Sequence, residues 1–483
     1  MIPYVARVWI LALIAACGGS TDSAVQDSST GSTPPPIAAN GHDWTRFNVD
    51  EWRSGVFDAT TGITAATLST MRRQQVALDG TVDAAPIYLH GVSVGGAARD
   101  VFFVTTTYGK TLAIDANDGT VLWRFTPSGY SGWAGTSRIT TATPVADPDR
   151  TAIYAASPDG HIQKLAVADG HSLWSAAITT LPTREKIASA LNFSRGHVLA
   201  VTGGYIGDAP PYQGHVVVLD AATGTIARVW NSLCSDRAGL LDPSSCSQSG
   251  SAIWGRAGAV IDSATGSIFV ATGNALWDGR VNWGDAVIEL DPGATRILAN
   301  YTPSNTETLN ASDADVGSTS PALIDATHLV QGGKDGSIRV LEMQSIAGVT
   351  AHRGGETQIL STPSGSGLFS APVVWRRPDA TWIFAADAGG TAAWTYRAGA
   401  LTKAWSNTNG GTSPIVAGGL LFVYDTRGTL RVYDPSTGQL VGQLQSGSGH
   451  WNSPIVVDGR IALPEGNANA HQTSGVLNIW RLP

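Results

Sequence analysis

The sequence predicts an all-β fold: a single β-propeller of eight four-stranded blades, with seven as the alternative count, in which a strand from the N-terminal end closes the last blade. Three observations lead there. A hairpin that ends in tryptophan recurs along the chain, and a small residue followed by proline recurs between the hairpins. The third is composition: 43% hydrophobic and only 14% charged residues, with 56 glycines and 16 tryptophans. Low charge with abundant Gly, Trp and Thr suits many short strands joined by tight turns. At 483 residues the chain is long enough for one large closed β-structure, so its length is not read as several domains.

The chain opens with targeting features. Arg7 gives a positive start, and Val8 to Ile14 form an apolar run too short to span a bilayer, the profile of a secretory signal over residues 1–16. Ile14-Ala15-Ala16-Cys17 looks like a lipobox, which makes Cys17 the lipid-modified residue. Residues 17–40, rich in Ser, Thr, Gly and Pro, read as a flexible tether to a domain over 41–483. The expected location is the cell envelope, lipid-anchored and facing the periplasm. Gly18 is not an Asp-type inner-membrane retention signal, which favours the outer membrane, with membrane contact through the lipid alone.

With Cys17 lipidated, the two remaining cysteines, Cys234 and Cys246, are expected to pair in an oxidising compartment. Closing a loop of that size contributes roughly 3 kcal/mol in the chain-entropy model. No Cys-x-x-Cys-His occurs for a c-type haem, nor a Cys/His cluster for zinc. A net charge of -8 argues against nucleic acid or an anionic membrane surface as partner.

The repeats come next. The segments Thr111–Trp123 and Ile162–Trp174 are the clearest copies, each an alternating strand, an Asp-Gly turn (Asp118-Gly119, Asp169-Gly170) and a strand carrying Trp. A third runs from His215 through Thr223-Gly224 to Trp230. Val287–Gly293 and Leu430–Gly438 are later variants, and Ala392–Gly399 with Trp405 is a degenerate one. A Trp at the same place in successive units can pack between neighbouring sheets. The intervening strands open at Ala85-Pro86, Thr143-Pro144, Ser320-Pro321, Ala371-Pro372, Ser413-Pro414 and Ser453-Pro454. Both markers together count about eight units, although Ser345 to Gly367 is hard to phase. Because Gly475–Trp480 runs into the C-terminus, a strand near Trp44 to Phe47 is expected to complete the last blade.

The Asp-x-x-Thr/Asp-Gly-x-x-x-Trp pattern resembles the pyrroloquinoline-quinone (PQQ) repeat over nearly the whole mature chain. That repeat serves quinoprotein dehydrogenases and also a propeller lipoprotein that scaffolds outer-membrane protein assembly, so it does not by itself specify function. Between Ser251 and Leu341 the chain departs from pure repeat in an ordered series: Trp254-Gly255, Thr272-Gly273-Asn274, Asn282-Trp283-Gly284-Asp285, Asp313-Ala314-Asp315 and Gly333-Lys334-Asp335-Gly336. This succession resembles quinoprotein alcohol dehydrogenases, particularly the polyvinyl alcohol dehydrogenase branch.

The resemblance implies Trp254 as the platform under PQQ, Asn274 as a calcium ligand, Asp313 as the general base and Lys334 as the clamp on the quinone oxygen. Asp313 then lies close enough to the metal to count among its ligands, and Asp315 is a supporting carboxylate or a further metal ligand. Arg138 and Asp83 resemble the family's cofactor contacts. The family's glutamate ligand has no clean match in Gly203 to Asp208, and Asp208 is the nearest carboxylate. The adjacent-cysteine disulfide of some relatives is absent.

These residue types suit the chemistry. A hard cation on oxygen ligands polarises a carbonyl, a fixed ammonium stabilises developing negative charge, a carboxylate takes a proton, and a ring face holds a flat cofactor. The first reading is a PQQ- and Ca2+-dependent dehydrogenase of a small or polymeric alcohol, passing electrons to a separate acceptor such as a cytochrome c. The alternatives are a non-catalytic envelope scaffold and a propeller that binds a ligand without turnover.

Overall fold

The computed structural model describes residues 42–483. The signal peptide expected over 1–16, Cys17 and the tether over 17–40 lie outside the described residues. Eight antiparallel sheets follow one another around an axis, which makes the count eight. The first blade comprises Ile87–Val94, Ala97–Thr105, Thr111–Asp115 and Val121–Phe125, paired in that order. The second runs from Val145–Ala146 to Ser172–Ala177, the third from Asn192–Ser194 to Ile226–Asn231 and the fourth from Val260–Ile261 to Ile297–Tyr301. The fifth spans Ala322–Leu323 to Gln358–Ser361, the sixth Val373–Arg376 to Ala400–Asn407 and the seventh Ile415–Ala417 to Leu440–Gln445.

The eighth blade holds Ile455–Val457, Arg460–Glu465 and Gly475–Arg481, and its outermost strand is Arg72–Leu78, antiparallel to Gly475–Arg481. An N-terminal strand therefore closes the ring, but it is not the one near Trp44 to Phe47. The stretch that was hard to phase contains the fifth blade's outer strand, Gln358–Ser361, reached by a detour after Ser337–Glu342.

The core is layered between blades. Ile87, Phe103, Ala113 and Trp123 of the first blade pack on Ile153 and Leu165 of the second. Three of the recurring tryptophans dock their sheet on the next. Trp123 donates Nε1–H to the Val167 carbonyl at 2.8 Å, Trp174 to Ala221 at 3.2 Å and Trp405 to Pro435 at 2.8 Å. Each ring lies flat against the turn glycine of the following blade, Gly170, Gly224 or Gly438, where a Cβ would overlap it. The repeat pattern is this interlock written in sequence.

Residues 44–61 circle the axis at the end of the inner strands. Trp44 exchanges backbone hydrogen bonds with Tyr88 of the first blade at 2.8 and 2.9 Å. The Thr45 carbonyl accepts from Ala146, Glu51 from Ile261, Ser54 from Val374, Gly55 from Val416 and Thr61 from Gly459. Val56–Phe57 also adds a parallel fifth strand to the seventh blade. Inside this belt the buried Arg53 donates to the carbonyls of Ala257, Phe47 and Leu191. The opposite end of the inner strands is the open mouth, where the residues just before each small-Pro pair converge.

Candidate active site at the mouth

Trp254 lies in the extended segment before the fourth blade's inner strand. Asn274 follows that blade's second strand, Ile268–Ala271, while Asp313 and Asp315 sit on the loop entering the fifth blade. Lys334 begins the turn between the fifth blade's second and third strands. The structure brings these five side chains together. Lys334 Nζ is 2.6 Å from Asp313 Oδ1 and 2.7 Å from Asp315 Oδ2. The same ammonium stands 5.0 Å from the centre of the Trp254 ring. Trp254 Nε1 donates to Asp315 Oδ1 at 3.3 Å, and Asn274 Nδ2 donates to Asp313 Oδ1 at 2.5 Å.

The two carboxylates differ in surroundings. Asp313 is 66% exposed and Asp315 only 2%. Burial pushes the Asp315 carboxyl up, against the pull of Lys334. Burial alone would lower the lysine, but Asp315 and Asp313 hold its ammonium above the ordinary range.

A third carboxyl belongs here that sequence reasoning passed over. Asp285 is fully buried, and its amide donates to the Gly273 carbonyl at 2.9 Å. Burial first, then the charge of Asp315, pushes its pKa up to about 8. The only signal was its place at the end of Asn282-Trp283-Gly284-Asp285.

Two more aromatics extend the Trp254 surface across the mouth. Phe369 lies 5.9 Å from Trp254 and 5.6 Å from Trp451, and His450 is 4.3 Å from Trp451, measured between ring centres. Phe369 and Trp451 each stand two residues ahead of a small-Pro pair, as does Asp83 in the first blade. That shared offset was a readable signal.

Asp83 is buried beneath this surface. It accepts from His450 Nδ1 at 2.8 Å, from the Trp451 amide at 2.6 Å and from the Ala468 amide at 3.0 Å, so it anchors the aromatic floor. Arg256 plugs the axis, donating to the carbonyls of Ala188, Asp83 and Thr141 with its guanidinium 5.7 Å from the Trp451 ring. Burial, aided by Arg256 and opposed by Asp83, pushes the neighbouring Lys186 amine down to about 8.

Two other candidates stand apart. Arg138 lies 5.6 Å over the Trp133 ring and donates to the Pro158 carbonyl at 3.2 Å, without contact to the Trp254 group. Asp208 is exposed and accepts from the Tyr212 hydroxyl at 3.0 Å, and it makes no bond to the Lys334 group. The ribbon pairing Gly203–Gly204 with Glu185–Lys186 has no carboxylate on its glycine strand. Glu185 faces inward, accepting from the Gln213 amide at 3.0 Å beside His215 Nε2 at 3.2 Å. Farther out, a disulfide joins Cys234 and Cys246, with Cα atoms 6.1 Å apart.

The carboxylate oxygens of Asp313 and Asp315 lie against the Lys334 ammonium. The Asn274 Oδ1 is buried without a hydrogen-bond partner, so its lone pairs are open to a cation. Such a set suits a hard cation such as Ca2+, and the aromatic surface flanked by Lys334 and Lys186 suits a flat polyanionic cofactor. The residues present fit both groups.

The PQQ-repeat family model described as outer membrane protein assembly factor BamB matches residues 53–232 and 370–478, more than half of the chain. Polyvinylalcohol dehydrogenase of Sphingopyxis sp. (strain 113P3) is 27% identical over 212 residues, 41% of this chain. The matched stretch is 31% of that relative's length. Quinohemoprotein alcohol dehydrogenase of Comamonas testosteroni shares the fold with a TM-score of 0.67 at 16% identity, covering 92% of this chain and 82% of that one. A europium-containing methanol dehydrogenase gives 0.66 at 17% identity, covering 92% and 99%. BamB of Moraxella catarrhalis gives 0.52 at 14% identity, covering 85% and 98%.

Proposed function

The chain belongs to the PQQ-repeat β-propeller family, and we propose that it is a PQQ- and calcium-dependent dehydrogenase oxidising an alcohol group and passing electrons to a separate acceptor. One observation carries this reading: Lys334, Asp313, Asp315, Asn274 and Trp254, from four separate segments of the fourth and fifth blades, meet at one mouth of the ring. The partial match to polyvinylalcohol dehydrogenase supports an alcohol, small or polymeric, as substrate.

In this proposal PQQ supplies an electrophilic quinone carbonyl that accepts two electrons, polarised by a hard cation. Trp254, continued by Phe369 and Trp451, offers the ring faces that hold a flat cofactor. Asn274, Asp313 and Asp315 would hold the cation. Lys334 presents its ammonium to charge developing beside it. Asp313, the exposed carboxylate of the pair, takes the hydroxyl proton of the alcohol at its Oδ atoms as the C–H bond breaks. Asp83, pinned by His450, and Arg256, filling the axis, keep the floor rigid.

The proposal also places the protein in the envelope, carried by a lipid on Cys17 and a tether over 17–40. The family model's description favours a second reading, a scaffold in outer-membrane protein assembly. Reconstituting the purified protein with PQQ and Ca2+ separates them. Micromolar PQQ should bind, and a dye should be reduced with primary, secondary or polymeric alcohols. Failure of PQQ to bind at that concentration leaves the scaffold. Asp313→Asn should retain PQQ while turnover falls about 10²- to 10⁴-fold, and unchanged turnover would remove Asp313 from the role of base.

A further inference from the structure

A second cluster lies away from the mouth, where the ring closes. His42 Nδ1 is 2.6 Å from Asp458 Oδ1, and His90 Nδ1 is 3.3 Å from Asp458 Oδ2 and 3.0 Å from Asp100 Oδ1. One ligand-capable atom from each of His42, His90 and Asp458 lies within 4.8 Å of the others. The two imidazoles stack with centres 4.7 Å apart, so both rings present Nδ1 to one carboxylate from the same side. Their elements are unrelated in sequence: His42 heads the belt, His90 and Asp100 are on the first blade, and Asp458 is in the turn after the eighth blade's inner strand.

We propose that His42, His90 and Asp458, with Asp100 against His90, form a binding site for a first-row divalent transition ion, zinc by preference, that staples the seam between the first and eighth blades. Imidazole and carboxylate are the donors zinc takes in four-coordinate sites. Bonds of about 2.0–2.1 Å put tetrahedral ligand atoms roughly 3.3 Å apart, so the His42–Asp458 pair at 2.6 Å opens to admit the ion, and pairs wider than that, all within 4.8 Å, draw in.

The surrounding contacts hold the carboxylates in place, as ligand-orienting groups do. The Tyr88 hydroxyl donates to Asp458 Oδ2 at 2.9 Å, Arg460 donates to Asp100 Oδ2 at 3.1 Å and the Gly91 amide to Asp100 Oδ1 at 3.0 Å. Asp458 holds its place with φ of 46°, a conformation that Asp and Asn tolerate better than other residues. No local spacing of cysteines and histidines announces this site, because its ligands meet only when the ring closes. Bound metal would hold the belt's head, the first blade and the last blade by bonds from side chains alone.

The test uses the full chain, dialysed against chelator and titrated with Zn2+ alone, with metal content measured after gel filtration and thermal unfolding followed in parallel. One equivalent of zinc should be retained and Tm should rise. His90→Gln and Asp458→Asn should each weaken binding more than about a hundred-fold and abolish the zinc-dependent rise in Tm. His90 is 45% exposed and Asn suits the backbone at 458, so both variants should fold. Asp313→Asn, at the mouth, should leave this equivalent in place. Zinc that is not retained, that survives both seam variants, or that is lost in Asp313→Asn would overturn the site.

Discussion

Lys334 holds two carboxylates whose worth to the fold differs sharply. Its contact with Asp313 is at the surface, where an ion pair contributes under about 1 kcal/mol. Its contact with Asp315 neutralises a carboxylate 2% exposed, beside the equally buried Asp285. Removing the ammonium leaves that charge uncompensated, at a cost of about 3 kcal/mol. Lys334→Met should therefore lower urea stability by about that amount, and Asp313→Asn by under about 1 kcal/mol. Lys334→Met combined with Asp315→Asn should recover at least half of the loss, as expected for directly coupled groups. Equal losses for Lys334→Met and Asp313→Asn would mean that the lysine does not compensate the buried charge. The members of this cluster were legible because each sits in a distinctive local string. Asp285 was not, since a carboxyl in a Trp-Gly-Asp turn reads as solvated until burial is known.

At the scale of elements, the blade interlock is where sequence and structure correspond most closely. The Asp-x-x-x-Gly turn and the Trp that follows are adjacent in sequence, yet Trp123, Trp174 and Trp405 each serve the Gly of the next copy. Gly170 has φ of 75° and Gly196 has φ of 80°, so a Cβ meets the same left-handed strain at both. Only at 170 does it also meet a ring, that of Trp123, whereas the space at 196 is open. Gly196→Ala should cost about 1 kcal/mol, and Gly170→Ala about 2 kcal/mol more because the tryptophan must shift. Equal losses in chemical denaturation would show that the interlock tolerates displacement.

The closing strand shows what local pattern cannot supply. Arg72–Leu78, RRQQVAL, is an outer strand with most of its side chains toward solvent, so it lacks the apolar alternation that marked the inner strands. Trp44 and Phe47 are buried, but in the belt and not in the eighth blade. Phe369 meets Trp254, and Trp451 meets Phe369, across blades, a proximity set by the ring and not by neighbours in the chain.

At the scale of the molecule, a closed ring still has two open ends, and this chain treats them differently. The mouth is floored by aromatics and left accessible, while the other end is laced by residues 44–61. Arg53 fixes that lacing by donating to three carbonyls, two of them, Ala257 and Leu191, belonging to the segments that enter the fourth and third blades. Arg53→Met leaves those acceptors buried without their cation, a loss of about 3–5 kcal/mol. The opening should be local, because the blades keep their own ladders and interlocks. Hydrogen exchange should therefore speed up at the amides of Ala146, Ile261, Val374 and Val416, which donate to the belt. The amides of Trp451 and Ala468, bound to Asp83 at the mouth, should keep their protection. Acceleration at both ends together would mean that the belt and the floor open as one unit. Unchanged exchange at the belt amides would mean that Arg53 does not hold it. The expected split, loose at one end and rigid at the other, follows from placing the lacing and the site at opposite ends of the same inner strands.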